Sequence, residues 1–279
     1  MSVSIEIRPA EGKTFALKDL LPEGWEYGTY GEGYVLQDAE DESSVIAFDP
    51  ECIGCGICIE QKDGAVTLDL GTITGSREIR SFYDLAARIC KLCGASVFSR
   101  NGEIASPGQA DKYIKEDTEN AEKALFMMLK KLESGDTEAA SLCGALNPVA
   151  IGLSDARKLG ADAERLEKFL HEKQSVKALY AVPKIFQDPE SGELVGVFAL
   201  MAGVKTILPK KPQAPFYLER PIEKWAAYLY ISDDEYGYVS YEDFSKRCAR
   251  LGEYDALHFL TELSEEQIRG FIKKFPLDM

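Results

Sequence analysis

Apolar and polar residues alternate near the start of the chain. Val3, Ile5 and Ile7 alternate with Ser4, Glu6 and Arg8, and a period of two predicts a strand with one buried face. Residues 14–21 predict a short helix ending before Pro22. Glycines 24, 28, 31 and 33 then punctuate a turn-rich stretch with Trp25, Tyr27, Tyr30 and Tyr34. Residues 44–48 predict a strand closed by Asp49-Pro50. Residues 56–61 and 65–70 predict a hairpin about Lys62-Asp63-Gly64, because Asp-Gly accepts the positive φ angles of a tight turn.

The period then changes to that of a helix. Over 77–93, Ile79, Phe82, Leu85, Ala86 and Ile89 fall on one face. Thr74 or Ser76 is placed to cap the start, and Gly94 to end it. A second hairpin is expected over 95–105 about Asn101-Gly102. Residues 110–133 carry Tyr113, Ala121, Leu125, Met128, Leu129 and Leu132 at helical spacing, and Met127 and Met128 both read as core filler. Shorter helices are expected at 137–145, 154–159 and 162–173. Strands return in a long hairpin, 177–186 with 193–208, about residues 188–192, and in another, 224–231 with 236–240. Helices at 241–250 and 264–274 follow. Segregated strands and helices predict an α+β fold, with antiparallel sheets and hairpins at both ends and a helical middle. The expected division is 1–108 α+β, 109–175 helical and 176–279 α+β, three stretches able to pack as one globule.

Charge narrows the partners. Forty-seven acidic residues face 32 basic ones, a net charge of −15. Such a surface repels phosphate backbones and anionic lipid, so neither nucleic acid nor membrane is expected as a partner. The densest basic stretch, Lys205 to Lys211, is short and reads as a solvated strand end. The longest apolar run, Leu194 to Val204, is about half of a membrane span. With no secretory signal pattern, the odd count of seven cysteines reads as reduced thiols in a cytoplasm.

Three of those thiols carry the most suggestive chemistry. Cys52-Ile53-Gly54-Cys55-Gly56-Ile57-Cys58 resembles the C-x2-C-x2-C cluster loop of bacterial ferredoxins. Two-residue spacers let one loop wrap a cubane, and glycines let the backbone approach its sulfides. The pattern departs from the ferredoxin motif at Lys62-Asp63, where Cys-Pro would stand. Cys90 or Cys93, three residues apart on the expected helix, could supply a remote ligand. The same five thiols could be imagined around zinc, although such sites usually come from paired knuckles. The competing reading is that these are small buried residues, and it is preferred: no cofactor is expected.

Ser232 to Asp243 resembles a degenerate calcium loop. Gly237, Val239 and Asp243 match, but Ser232 and Tyr236 replace oxygen donors, and a strand precedes the loop. A hairpin turn followed by a helix capped by Ser240 is expected instead. Two histidines are present. His171 is expected at the exposed end of a helix and His258 partly buried. No phosphate-binding loop, nucleophile elbow or zinc-protease motif occurs.

Phe48 to Ile57, Ser76 to Tyr83 with Ile89-Cys90, and Val97 to Gly102 resemble a bacterial family known only as a domain of unknown function. The likeness covers residues 48–102 and is weaker elsewhere. It implies a strand, a hairpin, a helix and a strand, and no catalytic residues. It also implies that the stretch after Asp49-Pro50-Glu51 requires no cysteines. The function expected is that of a non-enzymatic cytoplasmic protein-interaction or regulatory protein, an immunity-type inhibitor among the options. The alternative is an iron–sulfur or zinc protein using Cys52, Cys55 and Cys58 with Cys90 or Cys93.

Overall fold

Strand β1 (Ser2–Ile7) lies in the interior of an antiparallel sheet, and its alternation decides which side of that sheet is dry. A computed structural model describes residues 2–10, 15–39, 43–189, 191–214 and 217–277. Thr14, at the head of the first expected helix, and Glu190, in the expected turn at 188–192, lie outside them. The chain divides into two compact units, Met1–Ser175 and Val176–Met279. The fold is α+β.

In the first unit, helix α1 (Leu17–Leu20) precedes β2 (Glu26–Tyr30), β3 (Leu36–Gln37), β4 (Ser44–Phe48), β5 (Ile57–Lys62) and β6 (Ala65–Gly71). Helix α2 (Ser76–Cys93), β7 (Phe98–Arg100) and β8 (Glu103–Ala105) follow. The eight strands run in the order β3-β2-β4-β5-β6-β1-β7-β8. The β5–β6 turn uses positive φ at Asp63 and Gly64, as the Asp-Gly pair predicts.

Register sorts the two faces. Ile5 pairs with Leu68, Leu68 with Ile59 and Ile59 with Val45, and all four are buried. The neighbouring row, Ser4, Asp69, Cys58 and Ile46, points the other way, because successive side chains alternate across a sheet. Helix α2 covers the apolar face with Ile79, Phe82, Leu85, Ala86 and Ile89. Each such side chain contributes about 1.5–3 kcal/mol on burial, with Ala86 less. Gly94 ends α2 at φ 72°. Its N-cap is Gly75, with no side-chain cap, whereas Thr74 or Ser76 was the expected one. Thr74 turns its hydroxyl to Glu78 instead.

Helix α3 (Ala110–Ser134) packs on α2 and, through Leu125, Met128 and Leu132, on a second apolar cluster. That cluster includes β10 (Val149–Gly152), α4 (Leu153–Leu159) and α5 (Ala163–Gln174). The expected helix at 137–145 is instead strand β9 (Ala139–Leu142), antiparallel to β10. Gly135 stops α3 at φ 79°, and the short run after it gains more by pairing with β10 than by forming an isolated turn of helix. Of the two adjacent methionines only Met128 is core. Met127, about 100° further round the helix, is 58% exposed.

The second unit contains two four-stranded sheets. One orders β12 (Lys184–Gln187), β13 (Leu194–Met201), β15 (Lys224–Ser232) and β16 (Glu235–Ser240). The other orders β11 (Leu179–Tyr180), β14 (Thr206–Pro209), β18 (His258–Thr261) and β17 (Arg250–Glu253). The expected strand 193–208 therefore breaks at Gly203, whose φ of 72° sends its two halves to different sheets. Helix α6 (Tyr241–Arg247) stops short of the expected 250, where β17 begins, and α7 (Glu265–Lys274) starts on a capping box at Ser264. The calcium-like segment is the β15–β16 hairpin followed by α6; Ser240 is its N-cap residue but makes no side-chain cap bond. No helix among the described residues is long and apolar enough to cross a membrane.

Candidate binding groove and the cysteine loop

Two acidic residues lie in apolar helical stripes, and both organise the first unit. Glu78 stands four residues before Phe82 on α2, and Asp117 four before Ala121 on α3. Both side chains are turned inward. An ionisable group in a dry interior is costly unless it is hydrogen-bonded, and each is.

Glu78 fastens the cysteine loop. Its carboxylate accepts the backbone N–H of Cys55 at 3.0 Å and of Gly56 at 2.7 Å, and the Thr74 hydroxyl. Burial nevertheless pushes its carboxyl above the usual range, against the three donors. The Ile53 N–H donates to His171 Nδ1 at 3.1 Å, so His171 holds the loop from α5. The Tyr30 hydroxyl donates to the carbonyl of Gly144 at 2.9 Å. Gly56 adopts φ 80°, and a side chain there would run into Ile46.

The five cysteines are distributed over different surroundings. Cys90 and Cys93 are buried in the core between α2 and the sheet. Cys58 lies on β5 between Ile57 and Ile59, which belong to that core, so its own side chain leaves on the opposite face. The Cys55 thiol donates to the Ile73 carbonyl at 3.4 Å. Cys52 neighbours Arg77 and Glu167. Among the described residues, no group of three or more His, Cys, Asp or Glu is arranged to hold a metal ion. Burial raises the thiols of Cys55 and Cys58, Cys90 to about 11 and Cys52 to about 12. Thiols raised in this way are mostly protonated at neutral pH and so are weak nucleophiles.

Asp117 anchors the wall of a groove. It accepts the Tyr83 hydroxyl at 2.5 Å and the Arg100 guanidinium at 2.6 Å, and the Arg100 guanidinium also donates to the Tyr83 oxygen at 2.7 Å. Burial and the neighbouring carboxylate push the Tyr83 phenol above its ordinary range. Tyr113 stacks on Tyr83, with Arg100 over its ring. This triangle ties α2, β7 and α3 together.

Beside it lies a groove of about 890 Å³. It follows α3 from Glu116 to Lys131 and is bounded by the starts of β1 and α2 and by β9. Its lining is mainly apolar, with Val3, Leu70, Ala124, Met127, Ala140 and Leu142 among the contributors. Neither Glu78, Asp117 nor Arg100 was singled out in the sequence. The available signal was an acid interrupting each helix's apolar stripe. The groove itself had no signal, since its walls come from distant segments.

In the second unit, Asp255 Oδ1 meets His258 Nδ1 at 2.8 Å, and His258 Nε2 meets the Tyr180 hydroxyl at 2.9 Å. His258 is buried, and the chain of contacts links β11 to β18.

No curated protein and no solved structure matches the chain. A family model described as a domain of unknown function matches residues 2–271, far beyond the 48–102 stretch that carries the visible likeness. The chain therefore belongs to the domain of unknown function family DUF4299.

Proposed function

We propose that this protein is a non-enzymatic interaction or regulatory protein of the cytoplasm that binds a protein partner through the groove beside α3. An inhibitor of the immunity type is one form of this role. The groove carries the reading. It is large, its exposed surface is mainly apolar although polar and charged residues contribute to its lining, and it is bordered by a methionine that is 58% exposed. Exposed methionine adapts to varied apolar partners. The shortest ion pair lining the groove, Asp117 with Arg100, is engaged with itself and with Tyr83. That arrangement suits a rigid wall better than proton transfer. A net charge of −15 supports a protein partner over a polyphosphate one.

The test is a pull-down with the immobilised full chain and with an Ala124→Glu/Met127→Glu variant. A stoichiometric partner retained by the parent chain and lost by the variant is expected. Absence of any stoichiometric partner, or equal retention by the variant, overturns the reading.

A further inference from the structure

We propose that the groove takes an extended peptide of alternating acidic and apolar residues, added as a strand to the outer edge of β9. This rests on the reading of the groove as a protein-binding surface, and names the mode and chemistry of the occupant.

The first observation is the strand edge. Strand β9 pairs with β10 on one side and lines the groove with Ala140, Ser141 and Leu142. Among the described residues, the backbone of those three makes no hydrogen bond beyond its ladder with β10. A one-sided strand presents a row of N–H and C=O groups to any chain that lies along it. Proteins usually blunt such edges with lysine, proline or a bulge. The β9 residues Ala-Ala-Ser-Leu carry none of these, and the β9–β10 register is regular.

The second observation is charge. On the groove, Arg100 pairs with Asp117, and Glu116 lies 3.7 Å from Lys112. Lys123 and Lys131 also line it, and neither has a carboxylate within ion-pair distance among the described residues. Two unpaired cations on one wall are unusual in a chain of net charge −15. They stand eight residues apart on α3, about 12 Å along the axis. Two residues of an extended peptide separated by four positions span about 13 Å and point to the same side. Acidic residues on one side of an added strand therefore match both lysines, while its other side faces apolar groove residues that lie off α3, Val3 and Leu70.

The experiment uses the full chain and three labelled eight-residue probes. They are an alternating valine–glutamate peptide, the valine–lysine counterpart, and the glutamate peptide N-methylated at alternate residues. Binding is read by fluorescence anisotropy at low and high salt. The glutamate peptide is expected to bind, weakening as salt rises. N-methylation removes backbone donors without changing charge and should weaken it about tenfold or more. Lys123→Glu/Lys131→Glu, checked for an unchanged melting temperature, should weaken it about tenfold and favour the lysine peptide. Equal binding of the acidic and basic peptides, or indifference to N-methylation, overturns the strand-addition proposal. If the glutamate peptide fails while the pull-down still yields a partner lost with Met127→Glu, the groove binds protein in another mode. If both fail, the interaction reading falls as well.

Discussion

The backbone N–H of Cys55 donates to Glu78 Oε2 at 3.0 Å, so a carboxylate on helix α2 sets the course of the 52–58 loop. Burial, the largest influence, raises the Glu78 carboxyl despite its three donors. The folded state thus holds the proton more tightly than the unfolded chain does. Its contribution is fully present below the unfolded value of about 4.3 and is lost as pH rises through the higher folded value. Glu78→Gln is neutral throughout. The stability advantage of the parent chain over Glu78→Gln should shrink as pH rises from about 4 toward 8. Urea midpoints across that range check this, and parallel curves would contradict it.

Gly54 faces the same carboxylate. A Cβ there would stand 2.5 Å from Glu78 Oε2, and three donors prevent that group from swinging aside. Gly54→Ala should cost about 1–3 kcal/mol. In a Glu78→Ala background the added cost should fall, because the obstructing atoms are gone. A double-mutant cycle from denaturant melts measures it, and additive losses would refute the steric account.

Asp117 is 5% exposed and ties together Tyr83 and Arg100. Asp117→Ala leaves a poorly solvated guanidinium and a buried hydroxyl without their partner, and should cost about 3 kcal/mol. The Arg100→Met/Asp117→Leu variant removes both charges and should lose less than Asp117→Ala. Thermal and urea unfolding distinguish them. A greater loss in the double variant would show that the pair itself, not the stranded charge, dominates.

Thiol chemistry should follow exposure. Cys143 is exposed, whereas Cys90 and Cys93 are buried and the Cys90 thiol is pushed up to about 11. With iodoacetamide at mildly alkaline pH, Cys143 should react first, and Cys90 and Cys93 only on unfolding. Peptide mapping by mass spectrometry reads the order. Native-state modification of Cys90 as fast as Cys143 would show that the core between α2 and the sheet opens.

Where periodicity spans many residues, the fold was legible. The stripe from Ile79 to Ile89 placed α2, and Asp63-Gly64 placed the β5–β6 turn, because these features depend on neighbouring residues alone. Short segments were less legible. Ala139–Leu142 has the composition of a helix and becomes a strand because β10 lies beside it. The run from Leu194 to Pro209 is apolar almost throughout, and Gly203 and two different partner strands divide it. Likewise, Met127 and Met128 are the same residue type side by side, and only the packing of α3 buries Met128 in the core and leaves Met127 exposed.

By itself the sequence determined the α+β class, the long helices, the tight turns and an acidic surface, since all follow from local geometry and composition. The tertiary structure decided where the cysteines went and where the groove lies. A strand's alternation sends Cys58 away from the face that holds Cys90 and Cys93. The groove exists because α3, β9 and the starts of β1 and α2 converge from distant points in the chain. Sequence spacing fixes distances along a chain, whereas a site needs distances across it, and those are set by which apolar faces pack together.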